Sequence, residues 1–250
     1  MDTSVKATAI IPARYASTRL PGKPLLSETG RPLIQHVVEA IAAARRVGRI
    51  VVATDDERIA SVVRGFGGQV VMTRADHISG SDRLAEAVEI LGLGDDEIVV
   101  NVQGDEPEIP PACVDRLIEL LAETGAEMAT LVTALDAAEA GDPNRVKCVI
   151  DKNGRAMYFS RSRIPFDRDS AGGVAYKLHL GIYAYSAGFL KRYTQLPPTP
   201  AELAENLEQL RVLENGWSIA TSEVDYDGAG IDTRVDYEAF VRRQAADGCR

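Results

Sequence analysis

The sequence predicts an α/β fold: an open, mostly parallel sheet with helices on both faces and an antiparallel excursion late in the chain. Two observations carry this. In the first half, short apolar runs rich in β-branched residues alternate with segments whose apolar residues recur at helical spacing. Near-continuous apolar strands between amphipathic helices belong to parallel sheets covered on both sides. From about residue 127 strand signals dominate instead.

Strands are expected at 7–12, 49–53, 69–73 and 97–102. Between the first two, Leu33, Ile34, Val37, Val38 and Ile41 make one helical stripe, with His36 expected to face solvent. Ile59, Val62, Val63 and Phe66 make a second. A third helix starts near Ser81 and carries Leu84, Val88 and Leu91, and a fourth carries Val114, Leu117, Ile118 and Leu121. EMATLVTAL, VKCVIDKNGRAMYFS and YKLHLGIYAYS then read as strands, the middle one holding the hairpin signature Asn153-Gly154. Residues 161–175 have no clear period and read as a loop. One helix from about 201 (Leu203, Leu207, Leu210), a strand near 218–224 and a C-terminal helix complete the chain. No repeat or long linker interrupts it, so 1–250 is expected to be one domain with an antiparallel subregion inserted at about 145–195.

The 250 residues carry a formal charge of -9 and are 45% apolar. That acidity argues against nucleic acid or an anionic membrane as the main partner. No apolar run approaches the ~20 residues of a membrane span, and the N-terminus does not look like a signal peptide. Cys113, Cys148 and Cys249 show no metal-type spacing and read as reduced thiols, the state of a cytoplasmic protein.

Local cations therefore mean more than the total charge. The first strand runs into ARYASTRLPGK, which places Arg14, Arg19 and Lys23 around Ser17 and Thr18 at a strand's carboxyl end. Ligands of open α/β sheets bind there. The loop has neither GxGxxG nor GxxxxGK[ST], so it supports neither a dinucleotide fold nor a P-loop. Two guanidinium forks, one ammonium and small hydroxyl donors suit a triphosphate, and Gly22 lets the chain turn tightly. A solvated loop with ordinary cations is the competing reading.

NVQGDEP places Asp105 after the fourth strand, at the same edge. A carboxylate beside a phosphate site repels the ligand unless a divalent cation lies between them, and Mg²⁺ takes one or two carboxylates plus phosphate oxygens and water. TRADHISGSDR again joins a strand end to a helix start. Arg74 adds a cation, and Ser79, Gly80 and Ser81 offer donors to the edge of a base, or Ser81 simply caps the helix. His77 has no metal partner at useful spacing and reads as a loop residue. Alternation puts His179, Gly181 and Tyr183 on one strand face, as a polar pocket wall or as a satisfied core pair.

These residues carry a resemblance. IIPARYASTRLPGKPL, VATDDERI, TRADHISGSDR, NVQGDEP, MYFSRSRIP, HLGIYAY, LEQLR and GIDT stand in the order found in 3-deoxy-manno-octulosonate cytidylyltransferases, which the chain resembles over essentially its whole length. Sialic-acid cytidylyltransferases share the fold but carry a Gly-Ser-Lys type sequence in place of RYASTR. The resemblance implies a nucleotide-diphospho-sugar transferase-like fold. It also implies transfer of CMP from CTP to the sugar acid with Mg²⁺, releasing pyrophosphate, for lipopolysaccharide biosynthesis. Residue by residue it implies Pro12, Ala13, Arg14, Arg19 and Lys23 on the nucleotide, with Arg14, Arg19, Lys23 and Asp105 in catalysis. Arg74, Ser79, Gly80 and Ser81 would surround the cytidine, with Gln103 near the reacting groups. Asp105 and Asp232 would hold the metal, and Arg161, His179, Tyr183, Glu208 and Gln209 the sugar acid, with Arg161 on its carboxylate. A homodimer through about 145–185 is also implied. The competing readings are a cytidylyltransferase for the 8-amino relative or a sialic-type acid, and a non-catalytic nucleotide binder. A degenerate binder should have lost one of the charged groups that the chemistry needs, and this chain has them all.

Overall fold

The structure, a computed structural model, describes residues 6–16, 20–169, 172–226 and 230–247. Ser17, Thr18 and Arg19, together with Gly228 and Cys249, lie outside them. The first half is built as its periodicity dictates: β1 (Ala7–Ala13), α1 (Leu33–Ala42), β2 (Val47–Thr54), α2 (Glu57–Gly65), β3 (Gln69–Met72), α3 (Gly80–Leu91), β4 (Ile98–Asn101) and α4 (Pro111–Thr124). Then follow β5 (Met128–Leu135), β6 (Lys147–Ile150), β7 (Ala156–Ser160) and β8 (Tyr176–Ser186). The chain closes with α5 (Ala187–Thr194), α6 (Pro200–Glu205), α7 (Leu210–Glu214), β9 (Ile219–Glu223) and α8 (Arg234–Asp247). No described helix is long and apolar enough to cross a membrane.

The sheet order is β3-β2-β1-β4-β8-β5-β9, with β1 to β4 parallel and β9 parallel to β5. β8 runs antiparallel between β4 and β5, and β6 and β7 form a hairpin attached to it. β8, paired with β5 from Tyr176 to Tyr185, belongs to the main sheet, and the β6–β7 hairpin lies off its path. Period-two alternation sends neighbours to opposite faces. Ile11, Val52, Val100 and Ile182 pack under α1, α2 and α4, while Ile10, Val51, Val99 and Tyr185 pack under α3, α5 and α7. Helices cover both faces.

Three local expectations are corrected. His36 is buried rather than solvent-facing: α8 lies over α1, so the imidazole meets Phe240 edge-on and hydrogen-bonds Thr29 Oγ1 at 2.7 Å. The helix expected from about 201 is two short ones, because Asn206 takes a left-handed conformation (φ 53°) that ends α6 and leaves Leu203 exposed. The cap of α3 is Ser79, whose hydroxyl accepts from Asp82 N while Asp82 accepts from Ser79 N. That leaves the Ser81 hydroxyl available for other work.

Candidate active site

The chain leaves β1 toward β2 on one side, and after β3 returns to β4 on the other. The crevice between the carboxyl ends of β1 and β4 is therefore the topological switch point, where open α/β sheets bind ligands. Pro12, Ala13, Arg14, Lys23, Gln103, Asp105 and Asp232 line a cleft of about 440 Å³ there. Gly104 lies at its base, where a Cβ would crowd Pro12 O at 3.1 Å. Gly22, at φ +68°, opens the short 3-10 helix Lys23–Leu25 that presents Lys23.

Lys23 is the hub. Its ammonium donates to Asp105 Oδ2 and to Ile231 O, both at 2.7 Å, and lies 3.8 Å from Asp232 Oδ1. Ile231 N–H donates back to Asp105 O at 2.9 Å. The end of β4 and the approach to α8, distant in sequence, are thereby locked together with their carboxylates around one cation. Arg14 reaches over the same cleft and donates to Ile78 O at 3.3 Å. Glu106 is half-buried beside them and accepts from Tyr226 OH at 2.9 Å; burial, then Asp105, raises its carboxyl to about 7.

Among the described residues no three His, Cys, Asp or Glu gather as a metal site. Asp105 and Asp232 do converge, which is the donor set Mg²⁺ accepts when phosphate oxygens and water complete the shell. The residues present fit that ion.

A second cleft, lined by Gly80, Ser81, Asn101, Gln103, Tyr183, Glu208 and Gln209 among others, adjoins the first through Gln103. Gln103 Nε2 donates to Gly181 O at 3.2 Å. Ser81 donates to Glu208 Oε2 at 2.7 Å, and burial raises the Glu208 carboxyl above its ordinary range. Gln209 is buried, and its Nε2 makes no hydrogen bond. A third cleft shares Asp105 and Asp232 with the first and Tyr183 and Gln209 with the second, and adds His179 and Arg145. His179 keeps an edge on this cleft yet is ringed by Phe159 and Tyr183, and burial holds its pKa down to about 3. Its Nε2 lies 3.1 Å from Thr130 Oγ1, a hydroxyl that also reaches the carbonyls of Leu180 and Ile182.

Two expected residues stand apart. Arg74 is turned outward onto Asp76 at 3.0 Å. Arg161 spends its guanidinium on the main-chain carbonyls of Glu205 (2.7 Å), Pro143 (3.0 Å) and Asn206 (3.3 Å), and it is absent from the lining of all three clefts. Arg19 lies outside the described residues. Conversely, the sequence reading missed Arg83, fully buried beneath the rim, where it donates to Thr73 Oγ1 at 2.6 Å and faces Asp55 at 3.2 Å. It also missed Arg145, whose only signal was a cation next to the turn before β6.

A switch-point crevice walled by cations and paired carboxylates, opening onto further polar clefts, defines a nucleotide-dependent transferase. Comparison with known proteins sharpens this: residues 8–221 match the profile described as "Cytidylyltransferase", and the chain belongs to that family. It is 48% identical over 246 residues to the "3-deoxy-manno-octulosonate cytidylyltransferase" of Syntrophobacter fumaroxidans, covering 97% of this chain and 98% of that one. It is also 48% identical, over 97% of this chain and all of the relative, to the "8-amino-3,8-dideoxy-manno-octulosonate cytidylyltransferase" of Shewanella halifaxensis. Among solved structures, a CMP:2-keto-3-deoxy-manno-octonic acid synthetase complexed with CTP superimposes with a TM-score of 0.92 at 45% identity, covering 97% of this chain and 99% of that one.

Proposed function

We propose that this cytidylyltransferase joins CMP, from CTP, to the anomeric 2-hydroxyl of 3-deoxy-manno-octulosonate and releases pyrophosphate. The observation that supports it best is the shared wall: Gln103, Asp105 and Asp232 separate a cationic crevice fit for a triphosphate from clefts fit for a polar sugar. A group bound astride that wall has its α-phosphorus beside the acceptor. The sugar oxygen attacks phosphorus in line, the new O–P bond forms as the bond to pyrophosphate breaks, and the hydroxyl proton leaves to solvent. Such chemistry is catalysed mainly by positioning and charge stabilisation. Arg14 and Lys23, with Arg19 by resemblance, neutralise the triphosphate and the leaving group. Mg²⁺, held by Asp105 and Asp232, would supply further charge at the phosphates. Ser79, Gly80, Ser81 and Gln103 face the nucleoside, while His179, Tyr183, Glu208 and Gln209 offer partners for sugar hydroxyls.

The reading extends to a homodimer through the β6–β7 hairpin and the loop after it, supported by exposed Met157, Tyr158 and Phe166 there. Sedimentation should give twice the chain mass. The functional test is pyrophosphate release with CTP, ATP and GTP against a panel of sugar acids, with the product identified by mass. Turnover confined to CTP and the 8-hydroxy acid is expected. Comparable rates with ATP would refute the cytidine assignment, and preference for the 8-amino acid would move the enzyme to that relative's reaction.

A further inference from the structure

Arg14 and Lys23 reach the same crevice from the two ends of one loop. The residues just inside them, Tyr15 and Gly22, close its neck. Gly22 N–H donates to Tyr15 O at 3.0 Å. The Tyr15 ring lies against Gly22 as well, since a Cβ there would stand 3.3 Å from two ring carbons. Glycine at 22 therefore serves twice, taking a φ of +68° and leaving room for the ring.

The ring is also covered from α2. The guanidinium carbon of Arg58 stands 3.3 Å from the ring centroid, a stacking distance for a planar cation on an aromatic face. Asp56 holds the guanidinium in place: Nε donates to Oδ1 at 2.9 Å and Nη2 to Oδ2 at 2.6 Å. Asp56 is fixed in turn as the cap of α2, accepting from Arg58 N at 2.9 Å. Ile59 and Val63 of that helix belong to the core against which Tyr15 packs. The Arg58 side chain is 59% exposed and lines none of the three clefts. An exposed ion pair adds little to the stability of the whole fold. What Arg58 does restrain is the stretch between the two crevice cations.

We propose that Arg58 is a positioning residue for the nucleotide. Acting through Tyr15, it holds the neck so that Arg14 and Lys23 keep a spacing that fits a polyphosphate, an inference that rests on the nucleotide reading above. A neck already closed lets both cations engage the ligand without first being ordered. Losing the stack lowers the fraction of the protein that is ready to bind, and the apparent affinity falls with that fraction.

The experiment is calorimetric titration of CTP with Mg²⁺ into wild type, Arg58→Ala, Arg58→Lys, Tyr15→Phe, Tyr15→Leu and the Arg58→Ala/Tyr15→Leu double variant. Thermal melts and saturation curves for the sugar acid accompany it. Arg58→Ala should weaken CTP about two- to fivefold, the worth of an exposed cation–π contact. Its melting temperature and sugar-acid KM should stay as they are, because the cap on Asp56 uses the backbone of residue 58 and survives. Tyr15→Phe keeps the ring and should bind as wild type does. Lysine, which cannot fork onto Asp56, should recover part of the loss. Once Tyr15 is leucine, Arg58→Ala should cost nothing further. A CTP affinity of Arg58→Ala indistinguishable from wild type overturns the proposal. So does a loss undiminished in the Tyr15→Leu background, or one shared equally by CTP and the sugar acid. Wild type that fails to bind CTP would instead refute the nucleotide reading.

Discussion

Replacing Asp232 by Asn separates two roles that the sequence leaves mixed, a helix cap and a metal ligand. In the structure the first turn of α8 is capped by Thr233 and Asp236: Asp236 Oδ2 accepts from Thr233 N at 2.7 Å, and Thr233 Oγ1 accepts from Asp236 N at 3.3 Å. Asp232 instead lines the two clefts that meet at Lys23, with its side chain 46% exposed. Its removal therefore costs the fold little, and a melting temperature within about 2 °C of the parent is expected, as for a surface change. Thr233→Ala is the contrast: a lost cap costs about 1 kcal/mol, or about 2–4 °C in a chain of this size. Turnover should show the reverse order. Asp232→Asn should lower kcat by about 10²–10³, the cost of one transition-state charge stabiliser, with partial recovery as Mg²⁺ is raised. Pyrophosphate release across a Mg²⁺ titration, beside thermal melts of both variants, measures this. Near-normal turnover of Asp232→Asn at ordinary Mg²⁺ would refute the reasoning and leave Asp105 as the lone ligand.

Gly181→Ala places a methyl in open cleft space, where nothing lies within 4 Å; the melt should be unchanged while the sugar-acid KM rises, and an unaltered KM would show that the acceptor does not lie over this floor. Arg161→Ala should lower the melting temperature by several degrees, because three guanidinium–carbonyl bonds are lost. A raised sugar-acid KM with an unchanged melt would return Arg161 to the acceptor site. His179 titrates near 6.5 when unfolded but is held down to about 3 by burial, so the unfolded state binds the proton first as pH falls. Stability should be full above about pH 6.5 and fall toward pH 3 by up to about 1.4 kcal/mol per pH unit. His179→Gln should flatten that slope, although His36, also shifted down by burial, keeps part of it; melts across the range that overlay wild type would count against a neutral, enclosed His179.

Much of the fold is legible from periodicity alone. Strand and helix faces in the first half repeat with the periods of their own backbones, so Ile10 and Ile11 part to opposite cores without any reference to their neighbours. The cationic crevice is legible for the same reason: Arg14, Lys23 and Asp105 follow strand ends that a parallel sheet must bring to one edge. His36 misled because its helix looks amphipathic in isolation, and only the docking of α8 covers it. The helix near 201 misled because a single left-handed residue, Asn206, outweighs three leucines at helical spacing.

The sequence by itself determined the fold class, the family and the edge of the sheet where the candidate site lies. Each of those depends on local period or on motifs contiguous in the chain. Only the tertiary structure decided which charges meet. Lys23 gathers Asp105 and Asp232 across a long stretch of chain, Arg161 turns to backbone carbonyls, and Arg145 comes to line the same cleft as those two acids. Such pairings follow from strand order and from where β4 stops and β6 begins, and no local spacing records either. Electrostatic roles are set by distance in space, and distance in space is what a folded sheet adds to a sequence.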